Sequence, residues 1–398
     1  MGKTRFVVAG NFIDGSGADV RRNVFLAVKD GNIAAVGSAG DLPRNNALID
    51  DFSHCTILPA LVDCSVSLSR SPSVDRSVRL STEEAGPAKR AAMFEQHTRY
   101  CHAHGVLGVA DSGDLTHLLR YCQEGTLPGS TITLRTSGRL CQSRQDCAVD
   151  NFACGDFLKI GYSGDIGEDN SLSLPRNRED LYRILRHRGR KKVVVVANGK
   201  QQVAEALEAG CDAIEQGYGM GEDNLREMAQ KDVLWIPSVL RAKNILDGVG
   251  SGGEVCCRFS QRYVAPGKPN PGAEAYWNTM LAEQLTQLRV ARDIGVVTAV
   301  GTGAGSVGIL HGESMVEEMK LFIKAGYSLA ETIRCASENG ARFFGLEKLG
   351  ALTVGRKATF LISRGTAQQL PRKLSYLEGI YVDGMPSSTY CKNPCKPS

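Results

Sequence analysis

A (β/α)8 barrel carrying a small β-sandwich built from both chain ends is the architecture that this sequence predicts. Three observations lead there. The chain has 398 residues, enough for one large barrel with an appendage. Between residues 57 and 345, apolar strand-like runs alternate with helix-like stretches, the rhythm of a parallel sheet. Outside that region the signals are short strands only, at both ends of the chain.

The head, residues 1–56, reads as β-strands over 5–9, 24–29 and 32–36, with Asp30-Gly31 as a hairpin turn. The central region reads as strands over 57–62, 105–110, 157–160, 193–197, 233–236 and 296–300. Its clearest helices are 88–104, 178–188, 201–209, 222–230, 275–293 and 314–325. The tail, 346–398, returns to strands over 357–362 and 375–382, so head and tail together are expected to form one composite β-sandwich. The Gly/Pro-rich stretch 248–272 is a long loop, and long barrel loops often serve as lids.

Composition narrows the function classes. Hydrophobic residues make up 42% and charged residues 23%, an ordinary globular balance that excludes intrinsic disorder. A net charge of +4 is small for this length and gives no case for nucleic acid or a membrane surface. No apolar run reaches the roughly 20 residues of a membrane span. The opening Met1-Gly-Lys-Thr-Arg-Phe lacks an apolar export segment, and Phe6 stands where a myristoylation motif needs Ser or Thr, so a cytoplasmic protein is expected. Thirteen cysteines are then expected as reduced thiols, most simply as small buried apolar residues.

Several segments resemble the amidohydrolase superfamily, most closely its imidazolonepropionase-like branch. They are Asn11-Phe-Ile-Asp-Gly-Ser-Gly, Val28-Lys-Asp-Gly-Asn-Ile-Ala-Ala-Val-Gly, Ile57-Leu-Pro-Ala-Leu-Val-Asp, Phe157-Leu-Lys-Ile, Ala213-Ile-Glu-Gln-Gly, Trp235-Ile-Pro-Ser, Ala299-Val-Gly-Thr-Gly and Leu349-Gly-Ala-Leu-Thr-Val-Gly-Arg-Lys-Ala. They occur in the family's order along nearly the whole chain. The resemblance implies a barrel with a composite β-sandwich, and one or two Zn, Fe or Mn ions at the carboxyl ends of the strands. It further implies a metal-activated water attacking a carbon–nitrogen bond.

The family's ligand positions are occupied differently here. Its His-x-His on the first strand falls on Ser65 and Ser67, its fifth-strand His on Asn198, its sixth-strand His on Gln216 and its eighth-strand Asp on Gly303. The fourth-strand lysine is retained as Lys159. Residues two apart on a strand share a face, so Ser65 and Ser67 keep the geometry of the pair, but hydroxyls are poor zinc ligands. Cys64 points to the opposite face and cannot replace them. The sequence therefore predicts no metal site and no cofactor. Ser65, Ser67, Asn198, Gln216 and Gly303 are expected to line a neutral, hydrogen-bonding pocket around Lys159.

Three functions follow from this pattern. The first is a protein that is not a metal-dependent hydrolase and binds a small polar molecule or a partner subunit in the former active site. The second is a metal-independent enzyme using Lys159 as base or Schiff-base nucleophile on a small carbonyl or amide. The third is the family's own carbon–nitrogen bond hydrolysis. Burial is expected to lower the pKa of this lysine and so suit it to that role, while the plainer reading is a lysine simply paired with Asp111, Asp165 or Glu215. A homo-oligomer is expected from the family.

Other motifs have plainer readings beside the chemical ones. Cys101-His-Ala-His-Gly ends a helix at the amino-terminal side of the barrel, where histidine favours the helix dipole. Arg186-His-Arg-Gly-Arg-Lys-Lys is a solvated helix end rather than a nucleic-acid patch. Gly303-Ala-Gly-Ser-Val-Gly is either a glycine turn or an anion site made of backbone amides. Cys141, Cys147, Cys154, Cys256 and Cys257 would reach the barrel mouth as thiolates or stay inert, and Cys391 and Cys395 sit at the tail.

Overall fold

The computed structural model describes residues 4–43, 48–83, 86–112, 132–137, 155–163, 177–250 and 272–390. Asp165, Cys122, Cys141, Cys147, Cys154, Cys256, Cys257, Cys391, Cys395 and nearly all of the expected lid loop lie outside them.

The head strands appear as expected: β1 (Arg5–Phe12), β2 (Arg21–Lys29) and β3 (Asn32–Ser38). They continue into β4 (Leu48–Pro59), which lies parallel to β1. From the tail, β12 (Phe360–Arg364) pairs antiparallel with β4, placing Ile362 opposite Ile57, and β13 (Leu377–Val382) and β14 (Met385–Pro386) follow at the edge. Head and tail thus share one seven-stranded sheet, in the order β14-β13-β12-β4-β1-β2-β3. The sheet curls on itself: Ile33 on one edge strand and Ile362 on the third strand from the other edge bury against one core with Val7, Leu26, Ile57 and Phe360. Backbone bonds from Ile33 N to Arg356 O (2.8 Å) and from Ala358 N to Gly31 O (3.0 Å) close the curl.

Alternation along these strands decides what each face touches. Ile57 and Ile362 point into the sheet's own core, whereas Leu58 and Leu361 point into the barrel's. The predicted strand over 57–62 is therefore two strands. β4 ends at Pro59 in the curled sheet, and β5 (Leu61–Val66) begins the barrel, with Ala60 as the crossing point.

The barrel strands are β5, β6 (Val106–Asp111), β7 (Thr133–Thr136), β8 (Leu158–Gly161), β9 (Val193–Ala197), β10 (Ala213–Gln216) and β11 (Leu234–Ile236), all paired parallel in two sheets. The expected strand over 296–300 forms no continuous ladder. It still closes the ring, since Trp235 N bonds Val297 O and Ala299 N bonds Trp235 O, while Cys64 N bonds Val300 O and Gly303 N bonds Ser65 O. On the opposite seam, Asp156 N donates to Thr136 O at 2.7 Å. The eight strand positions therefore follow one another around a ring.

Helices α1 (Arg76–Glu83), α2 (Pro87–Ala103), α3 (Arg178–Arg186), α4 (Lys200–Glu208), α5 (Glu222–Gln230), α6 (Val239–Gly250), α7 (Ala273–Asp293), α8 (Ser314–Lys324), α9 (Leu329–Cys335) and α10 (Glu338–Phe343) complete the described elements. Local chemistry marks their ends. Asn177 caps α3 by accepting from Glu179 N, acids stand in its first turn and Arg183 and Arg186 in its last. Ser328 and Glu331 form a capping box on α9. Helices α1, α6, α9 and α10 are additions to the sequence reading; α1, α9 and α10, of 8, 7 and 6 residues, are too brief for periodicity to declare them.

One interior layer sets how closely the strands approach. A Cβ on Gly301 would lie 2.4 Å from Ile236 Cγ2 and 3.0 Å from Ser65 Cβ. Gly301→Ala is expected to destabilise the fold by about 1–3 kcal/mol through overpacking, seen as a lower midpoint in urea unfolding.

Candidate functional site

The carboxyl ends of the barrel strands bring a charged centre together. Lys159 on β8 and Glu215 on β10 form an ion pair at 2.6 Å, both buried. Ser65 on β5 donates from Oγ to the other Glu215 oxygen at 2.8 Å, and its Oγ lies 3.5 Å from Lys159 Nζ. Of the two described carboxylates expected as partners of the lysine, Asp111 and Glu215, it meets Glu215. Asp111 instead accepts from Leu68 N at 3.1 Å.

Beside this centre, Asn198 donates from Nδ2 to Gln216 Oε1 at 2.7 Å and accepts from Tyr218 N at 3.0 Å. These two amides therefore spend much of their bonding capacity on the protein itself. Gln216 has a left-handed backbone (φ 73°), and its carbonyl accepts from Trp235 Nε1 at 3.0 Å and Gln284 Nε2 at 2.7 Å. Ser67 is half-buried at the exit of β5, its backbone bonded to Ala304 O. Gly303 also has positive φ (73°), and a Cβ there would meet Arg241 Cδ at 3.2 Å and Nη1 at 3.4 Å. Gly303 thus has an arginine against it.

The two readings of residues 303–308 are resolved by their amides. Gly303, Ala304, Gly305, Ser306 and Gly308 donate to Ser65 O, Thr302 Oγ1, Ile309 O, Gly303 O and Pro72 O. The segment is a self-bonded glycine turn, with these five amides committed inside the chain.

Two buried carboxyls support the mouth. Asp63 accepts from Thr302 N (2.9 Å) and Thr302 Oγ1 (2.6 Å), pinning the closing segment to β5, and burial pushes its carboxyl up to about 6. Glu318 on α8 accepts from Val239 N (2.8 Å) and Leu240 N (2.6 Å) at the start of α6, and burial pushes it up to about 8. Behind Ser67 the rings of His97 and His311 stack at 3.8 Å. Their N–H groups donate to Leu68 O and Ser67 O, and burial lowers both pKa values.

The remaining motifs fall where the plainer readings put them. His102 and His104 end α2, bonded to Ser387 Oγ and Tyr100 O. Arg188 and Lys192 pair with Asp212 on the surface. Cys64 points outward, since a Cβ on Gly340 of α10 would lie 2.4 Å from its sulfur. The described cysteines Cys55, Cys64, Cys101, Cys211 and Cys335 are free and buried. Among the described residues, no group of three or more His, Cys, Asp and Glu is placed to hold a metal ion.

The sequence profile of the amidohydrolase family matches residues 178–392, more than half of the chain. The chain belongs to the amidohydrolase family. Solved structures agree on the fold. A Xaa-Pro dipeptidase with bound methionine in its active site is 18% identical, with a TM-score of 0.74, covering 97% of this chain and 100% of its own. The ochratoxinase of A. niger is 16% identical with a TM-score of 0.76, covering 96% and 95%. Molinate hydrolase is 16% identical with a TM-score of 0.73, covering 98% and 95%. No curated protein matches this amidohydrolase.

Arg241, Ser238 and Glu318 are mouth residues that sequence reasoning missed. Ser238 stood inside a quoted family segment, but nothing in a Trp-Ile-Pro-Ser string reveals which way its hydroxyl goes. Removing one partner of the central pair leaves a buried charge. Lys159→Met is expected to cost about 3–5 kcal/mol, while Lys159→Met combined with Glu215→Leu recovers most of it, measured as a double-mutant cycle by chemical unfolding. The histidine stack gives a pH prediction. Both rings stay neutral when folded, so their stabilisation is complete above the ordinary histidine value of 6.5 and is lost as pH falls below it. The unfolding free energy of the wild type is expected to fall relative to His311→Leu on titrating from pH 8 to 5; parallel curves would refute it.

Proposed function

We propose that this amidohydrolase works without a metal centre and binds a small polar molecule at the mouth of its barrel, rather than hydrolysing a carbon–nitrogen bond with a metal-activated water. The observation that carries this reading is the buried Lys159–Glu215 pair at 2.6 Å. The family's fourth-strand lysine acts as a carboxylated, anionic ligand. A carbamate on Lys159 would set a second anion against Glu215 in a desolvated site, whereas an ammonium matches it.

The other donors do not fit the implied ions. Zn, Fe and Mn are held by imidazole, thiolate and carboxylate groups. The family positions here offer two hydroxyls (Ser65, Ser67), two amides bonded to each other (Asn198, Gln216) and no side chain at Gly303. Lys159 and Glu215 cancel one another, so this pair leaves no surplus negative charge to hold a divalent ion. No hydrolytic step is derived through one.

What these residues supply is a rigid, desolvated wall of paired charge with hydroxyl and amide groups at its rim, the lining of a small-molecule site. The alternative in which Lys159 attacks a carbonyl requires it to leave its ion pair with Glu215. The family's own hydrolysis is the competing reading. No helix among the described residues is long and apolar enough to cross a membrane. A cytoplasmic homo-oligomer belongs to the same proposal.

Metal analysis by mass spectrometry, on protein purified without oxygen and without an affinity metal, tests the reading. Less than about a tenth of an equivalent is expected. One or two equivalents of zinc, iron or manganese would overturn it and restore metal-dependent hydrolysis.

A further inference from the structure

The charged centre of the barrel holds a hydroxyl between two ionised groups. Ser65 Oγ donates to Glu215 Oε1 at 2.8 Å and accepts from Lys159 Nζ at 3.5 Å. Lys159 in turn fixes the other Glu215 oxygen at 2.6 Å. A hydroxyl bonded to a carboxylate that a third group holds in place is the arrangement of an activated nucleophile. Serine, lysine and glutamate acting together support acyl transfer on an unrelated fold, so these residue types suffice for the chemistry.

Access comes along β8. Lys159 faces the barrel interior, so Gly161, two residues on in the same strand, faces it one step nearer the rim. Gly161 is half-buried, and a Cβ added there would meet nothing within 4 Å. Open space therefore stands above the lysine, whose side chain is buried but keeps 7% of its surface exposed. Across the ring the matching space is taken, since a Cβ on Gly301 would meet Ile236 and one on Gly303 would meet Arg241. The opening is on the side of β8 and β9, where Val196 pairs with Gly161 and the half-buried Asn198 follows at the rim.

Resting on the metal-free reading above, we infer that Ser65 is a nucleophile that accepts the acyl group of a small carboxylic ester. Its Oγ attacks the ester carbonyl carbon, and its proton passes to Glu215 Oε1. The carbonyl oxygen takes up the negative charge that Glu215 gives up. Lys159 faces both, so the desolvated site keeps its net charge throughout. Collapse of the intermediate breaks the carbon–oxygen bond of the ester, and Glu215 returns its proton to the departing alcohol. Water then attacks the acyl carbon, Glu215 relays the water's proton to Ser65 Oγ, and the free acid leaves.

The test treats the full chain with a fluorophosphonate, which loses fluoride to an activated serine, and locates the attached phosphonyl group by peptide mass spectrometry. Hydrolysis of p-nitrophenyl acetate is followed on the same protein. The label is expected on Ser65, with hydrolysis that Ser65→Ala lowers at least about a hundredfold. Lys159→Met combined with Glu215→Leu keeps Ser65 but removes its partners, and is expected to lose labelling and hydrolysis while circular dichroism shows it folded. Gly161→Val narrows the opening without replacing any of the three, and is expected to slow labelling at least about tenfold with Tm unchanged. Label on other residues only, hydrolysis that survives Ser65→Ala, or labelling of Ser65 unchanged in the double variant or in Gly161→Val would overturn the assignment. Metal analysis of the same samples separates the two readings. Metal-free protein without label on Ser65 sinks the nucleophile alone, whereas stoichiometric metal sinks the reading beneath it.

Discussion

The buried pairing of Lys159 with Glu215 is the constraint around which the barrel mouth is organised. Each charge alone would be strongly unfavourable between β8 and β10, where water is excluded. Together they neutralise one another, and Ser65 from β5 occupies the second carboxylate oxygen. Three strand positions are thereby tied through side chains as well as through backbone. The centre also dictates the character of its surroundings. Where no net charge remains, hydroxyls and amides suffice, and Asn198 and Gln216 bond to one another.

A second set of buried carboxyls holds the part of the ring that lacks a regular ladder. The closing segment between Val297 and Ala304 reaches its neighbours through scattered backbone bonds, and Asp63 secures it by gripping Thr302 twice. Glu318 does the equivalent for the turn into α6. Around these anchors the chain bends sharply: Gln216, Ser238 and Gly303, at the ends of the sixth, seventh and eighth strand positions, all have positive φ. Glycine adopts that conformation without penalty, whereas Gln216 and Ser238 cost about 1–3 kcal/mol each. Their carbonyls are each held by side chains, from Trp235 and Gln284 in one case and Tyr218 in the other, so the strain is supported by packing.

Much of this was legible in the residues. The strand and helix periods gave the barrel order, because parallel strands buried on both faces read as apolar runs. Family segments in their proper order placed Ser65, Ser67, Lys159, Asn198, Gln216 and Gly303 at one end of the ring, and spacing along β5 turned Cys64 away from it. Less legible were the crossing at Ala60, hidden inside one apolar run, and the segment 296–300, whose strand-like composition does not produce a ladder. Short helices such as α9 and α10 span too few turns for their pattern to stand out.

The sequence by itself determined the architecture and the family, since these depend on residue type and order along the chain. Only the tertiary structure decided which carboxylate meets Lys159, that five amides of the 303–308 turn are spent internally, that Arg241 lies against Gly303, and that Glu318 displaces Ser238 from capping α6. Those outcomes depend on contacts between residues far apart in the chain. Hydrogen-bonding capacity is exhausted or left over only after every neighbour has been placed.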